Sequence, residues 1–117
     1  MAKALTIKQP SAWAIIHAGK DVENKKTRTP YRGPLYIHAA LQDSQEAWNF
    51  LDEMGISLPV DPPTGGIIGV VDLVDCVEGY DSIWALPGHY HWLLENPRPV
   101  RFKRMRGHQG TIFNVEL

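Results

Sequence analysis

The sequence predicts an α+β fold in which about six strands form a small β-barrel flanked by two or three helices. Short segments of alternating apolar residues, separated by turns that contain glycine or proline, predict the strands. Two stretches with apolar residues at helical spacing, each followed by a glycine, predict the helices. A chain of 117 residues can bury a core without a metal or disulfides, so we expect residues 1–117 to form one domain.

The first half of the chain alternates strands with helices. The apolar run of the first helix stops at Gly19, where a left-handed residue commonly ends a helix. In the second helix, four apolar residues share the face that we expect to pack on the core. They are Ala47, Trp48, Leu51 and Met54. The predicted strands cover residues 4–8, 21–25 and 35–39, and the predicted helices cover residues 10–18 and 43–54.

The second half of the chain contains mainly strands. The run at residues 67–77 is rich in Ile and Val, which predicts a central strand buried on both faces over its first half. Residues 89–94 alternate as a second strand. Pro97 and Pro99 argue against a central strand beyond this point, because proline cannot donate to a neighbouring strand. Short strands are expected at residues 100–103 and 111–115, with a basic loop at residues 104–110 between them.

The net charge of −1 conceals a strong separation of charge along the chain. Ten of the twelve basic residues lie in two segments, residues 20–32 and 98–106, and no Lys or Arg lies between Gly33 and Arg98. That middle region contains ten of the thirteen acidic residues. If the two basic segments fold around one site they create a basic face, which favours a nucleic-acid partner over scattered surface charge.

Several classes of protein do not fit the composition. No apolar run is long enough to span a bilayer, and residues 1–19 lack the pattern of a signal peptide. The single cysteine, Cys76, fits a reducing compartment, so we expect a cytoplasmic protein without a membrane partner. Phosphate-loop, dinucleotide and serine-hydrolase motifs are absent. His89 and His91 form only a weak metal pair, so we expect no metal and no cofactor.

Several stretches, taken in order, are similar to one known family. Gln9 and Pro10 precede a helix that carries Trp13, and the sequence GKDVENK follows at residues 19–25. The similar stretches continue at residues 31–39, 91–100 and 107–110. Together they resemble the ASCH domain family of the PUA-like superfamily, which consists of RNA-associated barrels. The resemblance implies a PUA-like β-barrel with a cleft beside residues 19–25.

Lys20 and Glu23 are the candidate catalytic residues. A partly desolvated lysine can act as a base or nucleophile, and a neighbouring carboxylate can relay a proton. The alternative is a surface ion pair worth less than about 1 kcal/mol. The resemblance favours catalysis, because the family's proposed active cleft lies here. One bacterial branch hydrolyses acetylated cytidine nucleosides with a lysine, a threonine and a glutamate; Lys20 matches the lysine, but Glu23 replaces the threonine.

The candidate ligand-binding residues combine cationic, amide and aromatic side chains. Lys and Arg contact phosphates, rings stack on unpaired bases, and amides can both donate to and accept from a base edge. Trp13 is the ring that we expect at the edge of the cleft. The candidates are Gln9, Trp13, Asn24, Lys25, Arg32, His38, Arg104 and Arg106. In a ribonuclease, His38 or His108 together with Lys20 would supply the acid and the base.

The sequence therefore predicts a monomer that binds single-stranded or modified RNA, or a nucleoside, in a cleft beside the barrel. It leaves open whether the protein also reacts chemically with this ligand. The enzyme alternatives are amidohydrolase-like hydrolysis of an acylated or modified nucleoside and cleavage of RNA. The remaining alternative is a protein-interaction domain in the regulation of transcription or translation, whose basic face meets an acidic protein.

Overall fold

The computed structural model describes residues 1–117, which form six strands and two helices. In chain order these are β1 (Ala2–Gln9), α1 (Ser11–His17), β2 (Val22–Lys25), β3 (Gly33–Asp43), α2 (Gln45–Glu53), β4 (Gly66–Val77), β5 (Tyr90–Arg104) and β6 (Phe113–Val115). All six strands belong to one sheet with the order β2-β5-β4-β3-β1-β6. The predicted α+β class is confirmed, and the sheet resembles a small PUA-like barrel that is not closed.

The pairing of the strands brings several polar residues to one end of the sheet. β1 and β3 are parallel, so their carboxyl ends lie together, and Thr6 pairs with His38. In the neighbouring antiparallel strands, Ala39 pairs with Gly66 and Gly66 pairs with Arg104. Two strand spacings, about 10 Å, therefore separate Arg104 from Ala39. This end of the sheet carries the candidate site.

The first helix packs directly against the sheet. α1 buries Ala12, Ile15 and Ile16 in the main core cluster. A Cβ atom at Gly69 would lie 2.5 Å from Ile16 Cδ1, so the glycine allows the helix to approach β4 closely. Gly19 follows the helix with a φ of 75°, as its position in the sequence predicts. These contacts fix α1 relative to the strands on which it lies.

The second helix is less buried than its periodicity predicts. Ser44 caps α2 by accepting a hydrogen bond from the Ala47 backbone N–H. Of the predicted core face, Leu51 is buried, Trp48 is half-buried and Met54 is exposed. The main core cluster contains no residue of α2, so the helix covers the periphery rather than the centre. Neither helix has the length and apolar character that crossing a membrane requires.

β5 is one continuous strand over residues 90–104, so the expectation of two separate short strands was wrong. β2 pairs only with residues 90–93 of β5, so the rest of β5 lies at the sheet edge on that side. Residues 95–99 are therefore not a central strand, as Pro97 and Pro99 predict, and an edge strand tolerates the prolines because the missing N–H groups need no partner there. The pairing with β4 shifts register near Asn96, which has a φ of 54°. The continuity of the strand could not be predicted, because edge position depends on the length of the neighbouring strand.

Candidate functional site

An open groove of about 880 Å³ lies at the end of the sheet where β1 and β3 finish. Its other walls are one face of β2 and the basic loop, residues 104–110. The ionic and imidazole side chains that line it are Lys8, Glu23, Lys25, His38, Arg104, Arg106 and His108. Residues from both basic segments therefore line one concave surface.

The alternation of side chains along β2 decides which of them face the groove. Glu23 and Lys25 line the groove, and the intervening Asn24 points to the opposite face. There the Asn24 amide donates to the Trp84 carbonyl at 2.9 Å and accepts from the Leu86 backbone N–H at 3.0 Å. The same amide oxygen lies 2.9 Å from His91 Nδ1. These hydrogen bonds hold the loop that precedes β5, and the Asn24 side chain does not reach the groove.

Lys20 and Glu23 form a largely buried ion pair at the groove wall. Lys20 Nζ lies 3.4 Å from Glu23 Oε1, and the side chains are 12% and 16% exposed. Lys20 also donates to the carbonyl of Val22. Because Lys20 precedes β2, the strand alternation does not separate the two side chains. Glu23 lines the groove and Lys20 does not, and the nearby ammonium offsets the charge of the carboxylate.

Four cations in the groove have no acidic partner. Lys8, Lys25, Arg104 and Arg106 all line it, and none of them has a carboxylate oxygen within 4.0 Å. Lys25 Nζ lies 5.8 Å from the centre of the Trp92 ring, which supports it by a cation–π contact. The one acid in the lining, Glu23, is already paired. The groove therefore carries an excess of positive charge that is free to attract an anion.

The basic loop is held in place by a hydrogen-bonded chain that includes His38. His38 Nε2 lies 2.7 Å from the Met105 carbonyl, which can only accept, so this nitrogen carries the proton. Nδ1 of His38 lies 3.3 Å from Thr6 Oγ1, which in turn accepts from the His108 backbone N–H at 3.1 Å. A Cβ atom on Gly107 would lie 2.5 Å from His38 Cε1. His38 is 3% exposed, so it positions the loop more than it offers a contact to a ligand.

Gln9 is placed where it supports the site without facing it. Its side chain is fully buried. The amide oxygen accepts from the Trp13 backbone N–H at 2.9 Å, and the amide nitrogen donates to the Pro63 carbonyl at 2.9 Å. Gln9 therefore satisfies a free N–H at the start of α1, which a serine or aspartate commonly does.

Trp13 and Arg32 lie outside the groove. The half-buried Trp13 ring is 6.0 Å from the His17 ring on the same helix. Arg32 precedes the opposite end of β3, about 25 Å of strand away from the groove. Its guanidinium donates to the Thr29 and Tyr31 carbonyls, both at 2.8 Å, and lies 3.6 Å from Asp75 Oδ1. The groove thus contains five of the ten predicted site residues: Glu23, Lys25, His38, Arg104 and Arg106.

Several residues that line the groove were missed from the sequence, among them Lys8 and Ser11, and His108 was named only as an acid or base of a ribonuclease. A signal existed for Lys8, because it shares a strand face with Thr6 while the buried Leu5 and Ile7 occupy the other. Ser11 has no comparable signal, since its position depends on how α1 packs at the ends of β1 and β3.

A second cavity, of about 580 Å³, lies between the turn at Glu78 and the start of β5. It contains His89 and His91 but no Lys or Arg, so it lacks the free positive charge of the groove. No group of three or more His, Cys, Asp or Glu side chains is arranged to hold a metal ion. The first groove is therefore the candidate functional site.

Comparisons with known proteins agree with this architecture. The family model described as "ASCH domain" matches residues 5–104. "Activating signal cointegrator 1" of Homo sapiens is 32% identical over an alignment of 81 residues, which covers 62% of this chain and 14% of that protein. The protein of the same name in Mus musculus matches with the same identity and coverage. The chain spans about one seventh of the length of these relatives. Because the family match extends through most of the sequence, the chain belongs to the ASCH domain family.

Proposed function

We propose that this ASCH domain binds RNA in the groove. The ligand is single-stranded or modified RNA, and a nucleoside is the smallest ligand of this class. ASCH domains are generally RNA-binding. In this proposal Lys8, Lys25, Arg104 and Arg106 contact phosphate oxygens, and Glu23, the one acid in the lining, is paired with Lys20. The observation that carries the proposal is the set of four groove cations without an acidic partner.

The shape of the groove favours a polynucleotide over a free nucleoside. A nucleoside enzyme needs a closed cavity of the size of one base, whereas this groove is open and the exposed basic loop forms one of its walls. An open basic wall allows several successive phosphates to be contacted, as in channels that track a single strand. The supporting features are thus both electrostatic and geometric.

The test measures the affinity for a fluorescent single-stranded RNA of about 12 nucleotides by anisotropy, from about 50 to about 200 mM salt. The double variant Arg104→Glu with Arg106→Glu reverses two groove charges. Its matched control is Lys26→Glu with Arg101→Glu, two exposed cations outside the groove that also lack an acidic partner. We expect the groove variant to lose about tenfold or more in affinity and the control to lose about threefold or less.

Two outcomes would contradict the proposal. Equal losses in the two double variants would mean that net charge, and not the groove, attracts RNA. No measurable binding by the parent protein at about 50 mM salt would favour an acidic protein as the partner of the basic face.

Hydrolysis of an acylated or modified nucleoside, or cleavage of RNA, is a second candidate function. The observation in its favour is the largely buried Lys20–Glu23 pair, whose carboxylate faces the groove. In this candidate Glu23 accepts a proton at the groove wall and Lys20 acts as its charged neighbour. The ligand would then be bound by the same groove cations, so binding and turnover must be measured separately.

A further inference from the structure

The ring of His108 is stacked on a buried aromatic ring at the edge of the groove. The His108 and Phe113 ring centres are 4.7 Å apart, and their planes differ by 20°. Phe113 is 9% exposed, whereas His108 is exposed and lines the groove. One face of the imidazole is therefore covered by Phe113, and the other faces away from the protein core.

The position of this ring is set by the backbone around it. The His108 backbone N–H donates to Thr6 Oγ1 at 3.1 Å, and the preceding Gly107 fits closely against Thr6 and His38. Neither ring nitrogen of His108 makes a hydrogen bond or an ion pair within the chain. The imidazole is thus presented on a fixed loop without an internal partner for its free face.

His108 provides the single exposed ring of the groove. Of the other lining residues, only His38 carries a ring, and His38 is buried with both nitrogens in hydrogen bonds. None of the Trp and Tyr side chains lies in the groove lining, including those nearest to basic residues in the sequence. These are Trp13, Tyr31, Tyr36, Tyr90 and Trp92.

We propose that one unpaired base of the ligand stacks on the free face of His108, so that Phe113, the imidazole and the base form a continuous stack. This inference rests on the proposed function. Bases can stack on histidine only when they are splayed out of a helix, so the ligand class is single-stranded nucleic acid with at least one unstacked base. Arg104 and Arg106 lie on the same loop and hold the adjoining phosphates. Stacking on one ring tolerates any base, so it contributes affinity without strong sequence preference.

The test compares three variants in the same anisotropy assay. His108→Ala removes the ring, His108→Phe keeps a flat ring without nitrogens, and Thr111→Ala is a control at a nearby exposed residue outside the groove. We expect His108→Ala to lower the affinity by roughly five- to twentyfold with an unchanged salt slope, and His108→Phe and Thr111→Ala to stay within about threefold of the parent. An RNA carrying 2-aminopurine should show a fluorescence change on binding the parent and His108→Phe that is lost with His108→Ala.

An oligonucleotide that lacks bases separates stacking from phosphate contact. The parent and His108→Ala should bind it equally, because only the backbone remains to be held. Parent-like RNA affinity of His108→Ala would overturn the stacking proposal, as would His108→Phe behaving like His108→Ala, which would assign the role to the ring nitrogens. If the Arg104→Glu, Arg106→Glu variant still loses its affinity in those cases, the proposed function stands without the stack. If the parent binds no RNA, both proposals fail.

Discussion

The two basic segments of the chain differ in how their charges are neutralised. In the first segment, residues 20–32, three of the five cations are in ion pairs with acids of the same molecule. The pairs are Lys20–Glu23, Arg28–Glu78 and Arg32–Asp75. In the second segment, residues 98–106, only Arg98 has such a partner, Asp72. Arg104 and Arg106 of the second segment therefore supply the basic character of the groove together with Lys25 and Lys8.

The difference follows from where the strands place the acids. Asp72 pairs with Pro34 at the start of β3, Asp75 lies beyond the last residue of β4 that pairs with β3, and Glu78 follows the strand. That end of the sheet is opposite to the pairing of Gly66 with Arg104. Arg28, Arg32 and Arg98 pair with these acids. Lys20 pairs with Glu23 of its own segment, and the four cations that line the groove have no acidic partner. Equal clustering of charge in a sequence thus does not imply equal electrostatic potential on the surface.

The largest predicted effect on binding concerns the loop that presents the free charges. Gly107→Ala would bring a Cβ atom to 2.5 Å from His38 Cε1 and still closer to Thr6 Oγ1, so the loop must shift. We expect a loss of stability of about 1–3 kcal/mol, measured by urea unfolding, because the site is overpacked. We also expect RNA affinity to fall about tenfold or more, because Arg104 and Arg106 are displaced.

Thr111→Ala, at an exposed position just after the same loop and outside the groove, controls for general disturbance and should leave both quantities close to the parent values. If Gly107→Ala bound RNA with parent affinity, the close fit of Gly107 would have no part in presenting the second basic segment, and the contrast between the segments would lose its structural basis.

Much of the fold could be predicted because local patterns determine it. The Ile- and Val-rich β4 and the glycine after α1 lie where the alternation and the left-handed conformation predict. The continuous β5 could not be predicted, since tolerance of Pro97 depends on β2 ending opposite Leu93. In the groove, the presence of Arg104 follows from its place in the second basic segment, which the fold brings to the same site as Lys25. The absence of Arg32 follows from the strand register that brings it to Asp75, which no local pattern encodes.

A smaller effect should distinguish two adjacent lysines of the first segment. Lys25 lines the groove, whereas the exposed Lys26 does not. We expect Lys25→Ala to lower RNA affinity by about fivefold and to reduce the salt slope by about 0.7, the value for one lost phosphate contact on a single strand. Lys26→Ala should stay within about twofold in the same titrations. A larger loss with Lys26→Ala would place the ligand on the outer face of β2 and reverse the assignment of the groove.

The smallest predicted effect on binding belongs to the buried pair of the first segment. Lys20→Ala alone leaves the Glu23 carboxylate charged in the groove, where it repels phosphates, so a loss of affinity by this variant does not locate the ligand. Combining Lys20→Ala with Glu23→Gln removes both charges, and RNA affinity should return to within about twofold of the parent. Chromatography of an acylated cytidine nucleoside incubated with parent and double variant measures the second candidate function, since any turnover by the parent should disappear. If the double variant bound RNA more weakly than Lys20→Ala, the ammonium or the carboxylate would itself contact the ligand, and the first basic segment would share the role here assigned to the second.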